Sequence, residues 1–407
     1  MSLLPVADAL ARLLAAAKLT EKMETVGLHE GMGRVLAKDL AANLTHPAFD
    51  NSAMDGYAGR HADFATVGSE LRVIGQSAAG HGFTGTVGPG EVVRIFTGAP
   101  VPAGADTVLI QEDAETLGDG RIRTTFAPAE GRHIRRKGQD FKTGDSILRR
   151  GDMFDAGRLT VAAGMNVAEL PVYVRPKVAI LATGDELLPP GSIPGPDQII
   201  ASNTYGVAAL ARDNGAEVID LGIVRDDPDA IAAAVAKAQA SGADVLVTLG
   251  GASVGDHDLV QSTLIGSGME LDFWRIAMRP GKPLMVGTLG GMQVLGLPGN
   301  PVSSLVCALL FLEPLVRRLS RLPTRNRTAI AATEDLLAAN DKRQDYVRAR
   351  LTRNADGGLI AHPFSRQDSS MMQVFAQSDC LIVRPPHAPE AAPGTSCDIL
   401  MLRDPAF

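Results

Sequence analysis

Apolar positions change period along this chain, and the changes divide it into segments. Over residues 3–17 they recur at helical spacing, with Leu10, Leu13, Leu14 and Ala17 on one face. From about Phe49 to Asp140 the pattern breaks into short β-like runs, 91–97 and 106–111 among them, set apart by glycine-rich turns. Residues 157–164 return to helical spacing. Between Val174 and Leu322, continuous apolar runs at 177–183, 218–224, 244–249 and 293–297 alternate with helical patterns at 203–214, 228–241, 258–265 and 302–320. Buried strands alternating with helices predict a mostly parallel sheet covered on both faces. Asn203 stands at a capping position with Gly215 beyond the helix, and Pro228 falls in a first turn. After Pro323 short strands return. Runs at 346–353 and 359–363 flank a turn at 354–358, which predicts a small β-barrel or sandwich.

The expected fold class is multidomain α/β plus β. A helical N-terminal domain is expected in two pieces, 1–48 and 141–173, with a small β-domain inserted at 49–140. A doubly wound α/β domain at 174–322 and a C-terminal β-barrel-like domain at 323–407 complete it. Length agrees, since 407 residues exceed what one hydrophobic core organises. Hydrophobic residues at 45% permit large cores, while aromatics at 4% leave Ala, Val, Leu and Ile to build them.

A net charge of -7 weighs against a nucleic-acid binder yet leaves room for a small anionic ligand at a local cationic cluster. Cys307, Cys380 and Cys397 are too widely spaced for a disulfide framework or zinc site, and read as reduced thiols. Asp8 and Arg12 interrupt the first apolar stretch, which is expected to be a helix rather than a signal peptide. No apolar run is long enough to span a bilayer, so the expected setting is cytoplasmic, with no membrane partner.

Ligands of open α/β sheets bind beyond the carboxyl ends of the strands. Four such loops carry unusual residues: Gly184-Asp185-Glu186, Arg225-Asp226-Asp227, the stretch from Gly250 through Gly251, Ser253 and Asp258, and Pro298-Gly299-Asn300-Pro301 with Ser303. Glycines after a strand let backbone N–H groups approach phosphate, and the next helix presents its positive end. Neighbouring carboxylates suit Mg²⁺, a hard cation that takes oxygen ligands. Arg275, Arg279 and Lys282 would supply charge for an oxyanion. Each feature also has a plainer reading: Asp226-Asp227-Pro228 as a helix cap, the basic segment as solvated, His257 as a loop residue. Convergence of the four loops is what favours a site.

These motifs, with Asp50–Ala58, Thr97–Pro100 and Ile134–Asp140 upstream, resemble the molybdopterin molybdenumtransferase family, which includes gephyrin E-domain-like proteins. They occur in that family's order from about residue 5 to about residue 320. The resemblance implies cleavage of adenylylated molybdopterin, release of AMP and transfer of molybdenum from molybdate, with Mg²⁺ required. It implies a homodimer with its site between subunits, and makes the molybdopterin-adenylating enzyme a candidate partner. Asp55, Thr97, Arg135 and Asp140 would then line the cleft from the partner subunit. Glu186, Asp226 and Asp258 would bind metal or phosphate, and Arg279, Lys282 and Ser303 would hold molybdate. Arg348 and Ser369 would contribute from the tail. Arg275 and Arg279 stand where lysine is common, which keeps the charge but alters the geometry. The alternatives are a molybdopterin adenylyltransferase and a non-catalytic scaffold of the same fold.

Overall fold

The computed structural model describes residues 3–250 and 259–403. The chain divides into two compact units, residues 25–172 and residues 1–24 with 173–407.

The second of these is built on a six-stranded sheet. Its strands are β1 (Lys177–Thr183), β2 (Glu217–Val224), β3 (Val245–Leu249), β4 (Glu270–Trp274), β5 (Met285–Leu289) and β6 (Met292–Leu297), in the order β2-β1-β3-β6-β5-β4. Adjacent pairs within β2-β1-β3-β6 are parallel. Strands β5 and β4 run antiparallel at one edge. That edge pair has no counterpart in the sequence expectations.

Both faces of the sheet are covered, and the strands show it residue by residue. Val178, Ile180 and Ala182 of β1 enter one core, while Ala179 and Leu181 enter the other. This is the two-residue period of a strand buried on both sides. On the first face lie α1 (Val6–Ala16), α2 (Asn203–Asp213) and α5 (residues 301–319). On the second lie α3 (Pro228–Ala240) and α4 (Leu259–Gly266). Helix α5 widens into a π turn over Ala308–Leu312. Pro314 follows, and a proline lacks the N–H that a regular turn would require there.

The same unit ends in a closed barrel. Strands β7 (Thr328–Thr333), β8 (Gln344–Arg353), β9 (Leu359–Pro363), β10 (Cys380–Arg384) and β11 (Ser396–Met401) pair in the cycle β8-β9-β7-β11-β10-β8. A five-stranded barrel is narrow, and its interior uses Ala331, Ala349 and Ala361 beside Leu351 and Ile399. Met278–Arg279 adds beside β8, opposite Gln344 and Asp345.

Residues 25–172 form the other unit. Its six-stranded sheet has the order Thr107–Ile110, Gly56–Gly59, Glu91–Ile95, Glu70–Ser77, Arg121–Thr124, Ala114–Thr116. A separate core joins Leu36 and Ala42 to Phe141, Leu148, Phe154, Met165 and Leu170 across the sequence. The expected helical N-terminal domain is corrected in two respects. Residues 23–48 are strands and turns with one short 3₁₀ segment, and the only helix before Phe49 among the described residues is α1. That helix belongs to the α/β core, because its apolar stripe, Ala9, Leu13 and Ala17, packs in one cluster with Leu315 and Val316 of α5. Leu13 is 1% exposed. Leu13→Ala is therefore expected to lower unfolding stability by about 2–4 kcal/mol. Urea denaturation monitored on the α/β unit checks this, and a loss below about 1 kcal/mol would place α1 outside that core.

Candidate functional site

Strand β1 lies between β2 and β3, so the chain leaves it in opposite directions along the sheet. Such a switch point opens a crevice at the carboxyl ends of the strands. A cavity of about 540 Å³ lies there, lined by Thr183 from β1, Gly250 after β3, Asn203 of α2, and Asn300 and Pro301 at the start of α5.

The crevice depends on close backbone approach. Gly250 has φ +95°, and a Cβ there would lie 2.8 Å from the carbonyl oxygen of Thr183. Its N–H donates to the carbonyl of Leu297 at 3.3 Å, which ties the ends of β3 and β6. Gly184 N–H donates to the Val224 carbonyl at 3.1 Å and ties the ends of β1 and β2. Thr183 is 4% exposed, and its hydroxyl has no partner among the described residues. A buried polar group of this kind costs free energy unless something pairs with it.

Acidic groups stand at the rim. Glu186 is exposed and lines the cavity. Asp226 is held above the ordinary carboxylate range by partial burial, then by the charges of Asp185 and Glu186, while a hydrogen bond from the Asp185 backbone pulls the other way. Three carboxylates thus gather without a cation among the described residues. They do not form a ready-made metal-holding group of three there. The neighbouring Asp227 is explained as a cap, accepting from Ala230 N–H at 2.8 Å. Gly251, Ser253 and Asp258 fall outside the described residues.

The turn at 298–303 is braced from two sides. Asn203 Nδ2 donates to the Gly299 carbonyl at 2.7 Å, so its side chain ties α2 to this turn and makes no cap; Ser202 holds the N-cap position. Asn300 Nδ2 donates to Ser369 Oγ at 2.8 Å, and Val302 N–H donates to the Ser369 carbonyl at 3.0 Å. Pro298 completes the turn between β6 and α5, and Ser303 is buried at 5% exposure on the first turn of α5. Arg348 is 1% exposed; its Nε donates to Gln367 Oε1 at 2.9 Å and its Nη1 to the Asp368 carbonyl at 2.7 Å. Its visible work is to hold the loop that carries Ser369.

The basic segment reaches the same edge of the sheet. Met285 pairs with Gly296, so the 275–284 loop does emerge at the carboxyl edge of the sheet. Its cations nevertheless do not line the crevice. Arg279 pairs closely with Asp345 and stands 3.9 Å from Asp341, because the added strand sets Arg279 opposite Asp345. Arg275 lies over the Trp274 ring at 4.2 Å. Lys282 is half-buried, with no ion pair among the described residues.

In the unit of residues 25–172, three motifs meet. Asn51–Ser52 pairs with Ile134–Arg135, Ser52 N–H donates to Ala99 at 3.0 Å, and Gly98 N–H donates to Ser52 at 2.8 Å. Asp55 Oδ1 accepts from the Thr97 N–H at 2.7 Å and the Thr97 hydroxyl at 2.8 Å. Those two hydrogen bonds, Thr97's backbone first, hold Asp55 below the ordinary carboxylate range. Arg135 is exposed, whereas its neighbour Arg136 is paired with Asp50 at 2.7 Å. Asp140 is exposed and its N–H donates to the His46 carbonyl at 3.1 Å. Asn203, expected only at a capping position, and Thr183, expected only as the end of a strand, both line the crevice. A threonine closing an otherwise apolar run after Lys177 is the signal in the sequence for the latter.

A parallel sheet with a ligand crevice at its switch point, a close-approach glycine and rim carboxylates defines an α/β protein built to take a small polar molecule. Family models described as "MoeA N-terminal region (domain I and II)", "Probable molybdopterin binding domain" and "MoeA C-terminal region (domain IV)" match residues 4–165, 179–318 and 331–402. A molybdopterin molybdenumtransferase of Nostoc sp. is 36% identical over 392 residues, 94% of this chain and 89% of the relative. Its counterpart in Haemophilus influenzae is 35% identical over 379 residues, 92% of this chain and 93% of the relative. A solved molybdopterin biosynthesis moeA protein of Pyrococcus horikoshii superposes with a TM-score of 0.82 at 29% identity, covering 99% of this chain and 100% of the other. The chain belongs to the molybdopterin molybdenumtransferase (MoeA) family.

The Asp55–Thr97 pair gives a pH test. A carboxylate with a depressed folded pKa stabilises the fold above its unfolded value, and that contribution is lost as pH falls through the folded one. Asp55→Asn should lower the melting temperature slightly at pH 7. The deficit should close as the pH is taken below about 3.8. A deficit that stays constant from pH 7 to pH 2.5 would contradict the assigned hydrogen bonds.

Proposed function

We propose that this chain is a molybdopterin molybdenumtransferase, which takes adenylylated molybdopterin and molybdate and forms molybdenum cofactor with release of AMP. The observation that carries the reading is the crevice at the switch point of the sheet, where Glu186 faces a cavity closed by Gly250 and by the start of α5. Gly250 lets the ends of β3 and β1 approach closely, and the crevice in front of them is the space proposed for the phosphate. Pro301 begins α5 and lines the crevice, so the positive end of the helix dipole lies beside it. A nucleophilic thiol is not called for: burial pushes Cys380 up to about 12 and raises Cys307 as well.

The residues present fit Mg²⁺. Oxygen donors are available at Asp185, Glu186 and Asp226, and Asp226 is lifted by partial burial and then by the charges of the other two. Mg²⁺ usually takes one or two protein carboxylates and fills its remaining positions with water and substrate phosphate, so no three-ligand cage is needed. Glu186 and Asp226, with Asp258, would hold it, and it would supply Lewis-acid polarisation of the phosphoanhydride. Arg275, Arg279, Lys282 and Ser303 would attract molybdate, with Arg279 already screened by Asp345. The family's setting, a cytoplasmic homodimer with Asp55, Thr97, Arg135 and Asp140 completing the site from the partner subunit, is part of the proposal. The molybdopterin-adenylating enzyme would be the supplier of substrate. Adenylylation by this chain itself is disfavoured by the domains beyond the α/β core and by the Asp50–Ala58 motif, and service as a scaffold would leave the rim carboxylates without a role.

Purified protein should release AMP from adenylylated molybdopterin only when Mg²⁺ and molybdate are both present, and EDTA should stop it. Glu186→Ala should slow release by roughly 100-fold or more. As an exposed loop substitution it should move the melting temperature by no more than about 2 °C. Absence of release from folded protein would remove the assignment.

A site shared between subunits makes a second test. Asp55→Ala and Glu186→Ala proteins, each inactive alone, should recover up to about a quarter of wild-type activity after unfolding and refolding as a mixture, since one heterodimer site in two is intact and half the dimers are mixed. No recovery, with dimers formed, would place both residues of a site in one subunit.

A further inference from the structure

The loop at 364–372 divides two cavities within the α/β and barrel unit. Phe364, Ser365 and Gln367 line a cavity of about 550 Å³ beside the barrel, together with Arg279 and Arg384. Ser370 and Met372 line the crevice at the sheet edge. Ser369, between them, receives a hydrogen bond from Asn300 and another from Val302 N–H. The first turn of α5 therefore takes its position partly from this loop.

Arg348 and Gln367 hold the loop together: Arg348 Nη1 donates to the Asp368 carbonyl at 2.7 Å, and the Gln367 amide makes the remaining side-chain contacts to β8. Gln367 Oε1 accepts from both the backbone N–H and the Nε of Arg348, each at 2.9 Å. Gln367 Nε2 donates to the Arg348 carbonyl at 3.0 Å and to the Phe364 carbonyl at 2.8 Å. Both donor hydrogens and both acceptor positions of the side chain are used, which is the full capacity of an amide. Gln367 thereby clamps its own loop to β8 from both sides. No other side chain in the loop is so committed: Asp368 bonds only to Ser370 with its carboxylate, at 2.8 and 2.5 Å, and shapes the next turn.

We propose that Gln367 is a positioning residue for the transferase reaction: it holds Ser369 over the 298–303 turn, and the barrel acts on the crevice through it. The inference rests on the function proposed above. Gln367 touches no cavity-side group of the crevice, so its effect is indirect. Loss of the clamp leaves the loop held beside Ser369 by the Arg348–Asp368 bond alone, so Asn300 and the Val302 N–H lose a firmly fixed partner. Binding of the phosphate-bearing substrate should weaken while the chemical step, which uses the rim carboxylates, changes little.

The test is a cycle of Gln367→Ala, Ser369→Ala and the double variant, each assayed for AMP release at saturating Mg²⁺ and molybdate. Wild-type release is established first, because its absence would defeat the functional reading and not this one. Gln367→Ala should raise KM for adenylylated molybdopterin roughly tenfold, the scale of one or two well-made hydrogen bonds, with kcat within about threefold. In the Ser369→Ala background the same change should add less than about twofold, since contacts in one chain are not additive. Native-state hydrogen exchange supplies a readout free of activity: in Gln367→Ala the Val302 amide should exchange at least about tenfold faster, while β8 and β10 amides keep their protection. Unchanged KM and unchanged Val302 exchange would overturn the proposal. So would independent, multiplicative effects of the two substitutions, or loss of protection throughout the barrel, which would make Gln367 a general stabiliser.

Discussion

A side chain at position 250 would run into the carbonyl of Thr183, and most of the site follows from that proximity. Where β3 ends, the chain must turn at positive φ to leave the sheet, and it does so against the ends of both β1 and β6. Gly299 is drawn in as well: a Cβ on it would lie 3.8 Å from the Gly250 Cα. Three strand ends meeting here make the floor of the crevice, with Thr183, Glu186 and Asn300 lining it.

Charge is distributed unevenly around this floor. Within this unit Arg279 is already neutralised in place by Asp345 and Asp341. Partial burial, and then the charges of Asp185 and Glu186, lift Asp226. A rim of carboxylates is poorly suited to an anion alone, which is the physical reason for including a divalent cation in the proposed reaction.

Much of this was legible in the chain. Strands β1, β3 and β6 are buried on both faces, so they read as unbroken apolar runs, and the loops after them could be found by position alone. The edge strand β4 could not, because Glu270, Leu271 and Asp272 are exposed and carry no period. The apolar stripe of α1 announced a buried face without saying against what, and its partner in α5 is some 300 positions away in sequence. The direction of Arg279 was likewise hidden, since it depends on Asp345 in a barrel strand whose register no local pattern sets. Asn203 was read as a cap because asparagine before a helix usually is one; the carbonyl of Gly299, which claims its amide, is 96 residues further on.

The discontinuity of the α/β unit also shapes how the molecule is made. Lys22 and Val174 are joined by a backbone hydrogen bond of 3.1 Å, so the strand of chain that closes this unit is interrupted by residues 25–172. On a ribosome, α1 therefore emerges long before the sheet it covers. At about 5–20 residues per second, the roughly 300 residues between α1 and its partner in α5 take on the order of fifteen to sixty seconds. During that time Leu10, Leu13 and Leu14 have no core to enter, while the intervening unit can complete its own. The brevity of α1, and the charged Asp8 and Arg12 within it, keep that orphaned stripe narrow until its partner is synthesised.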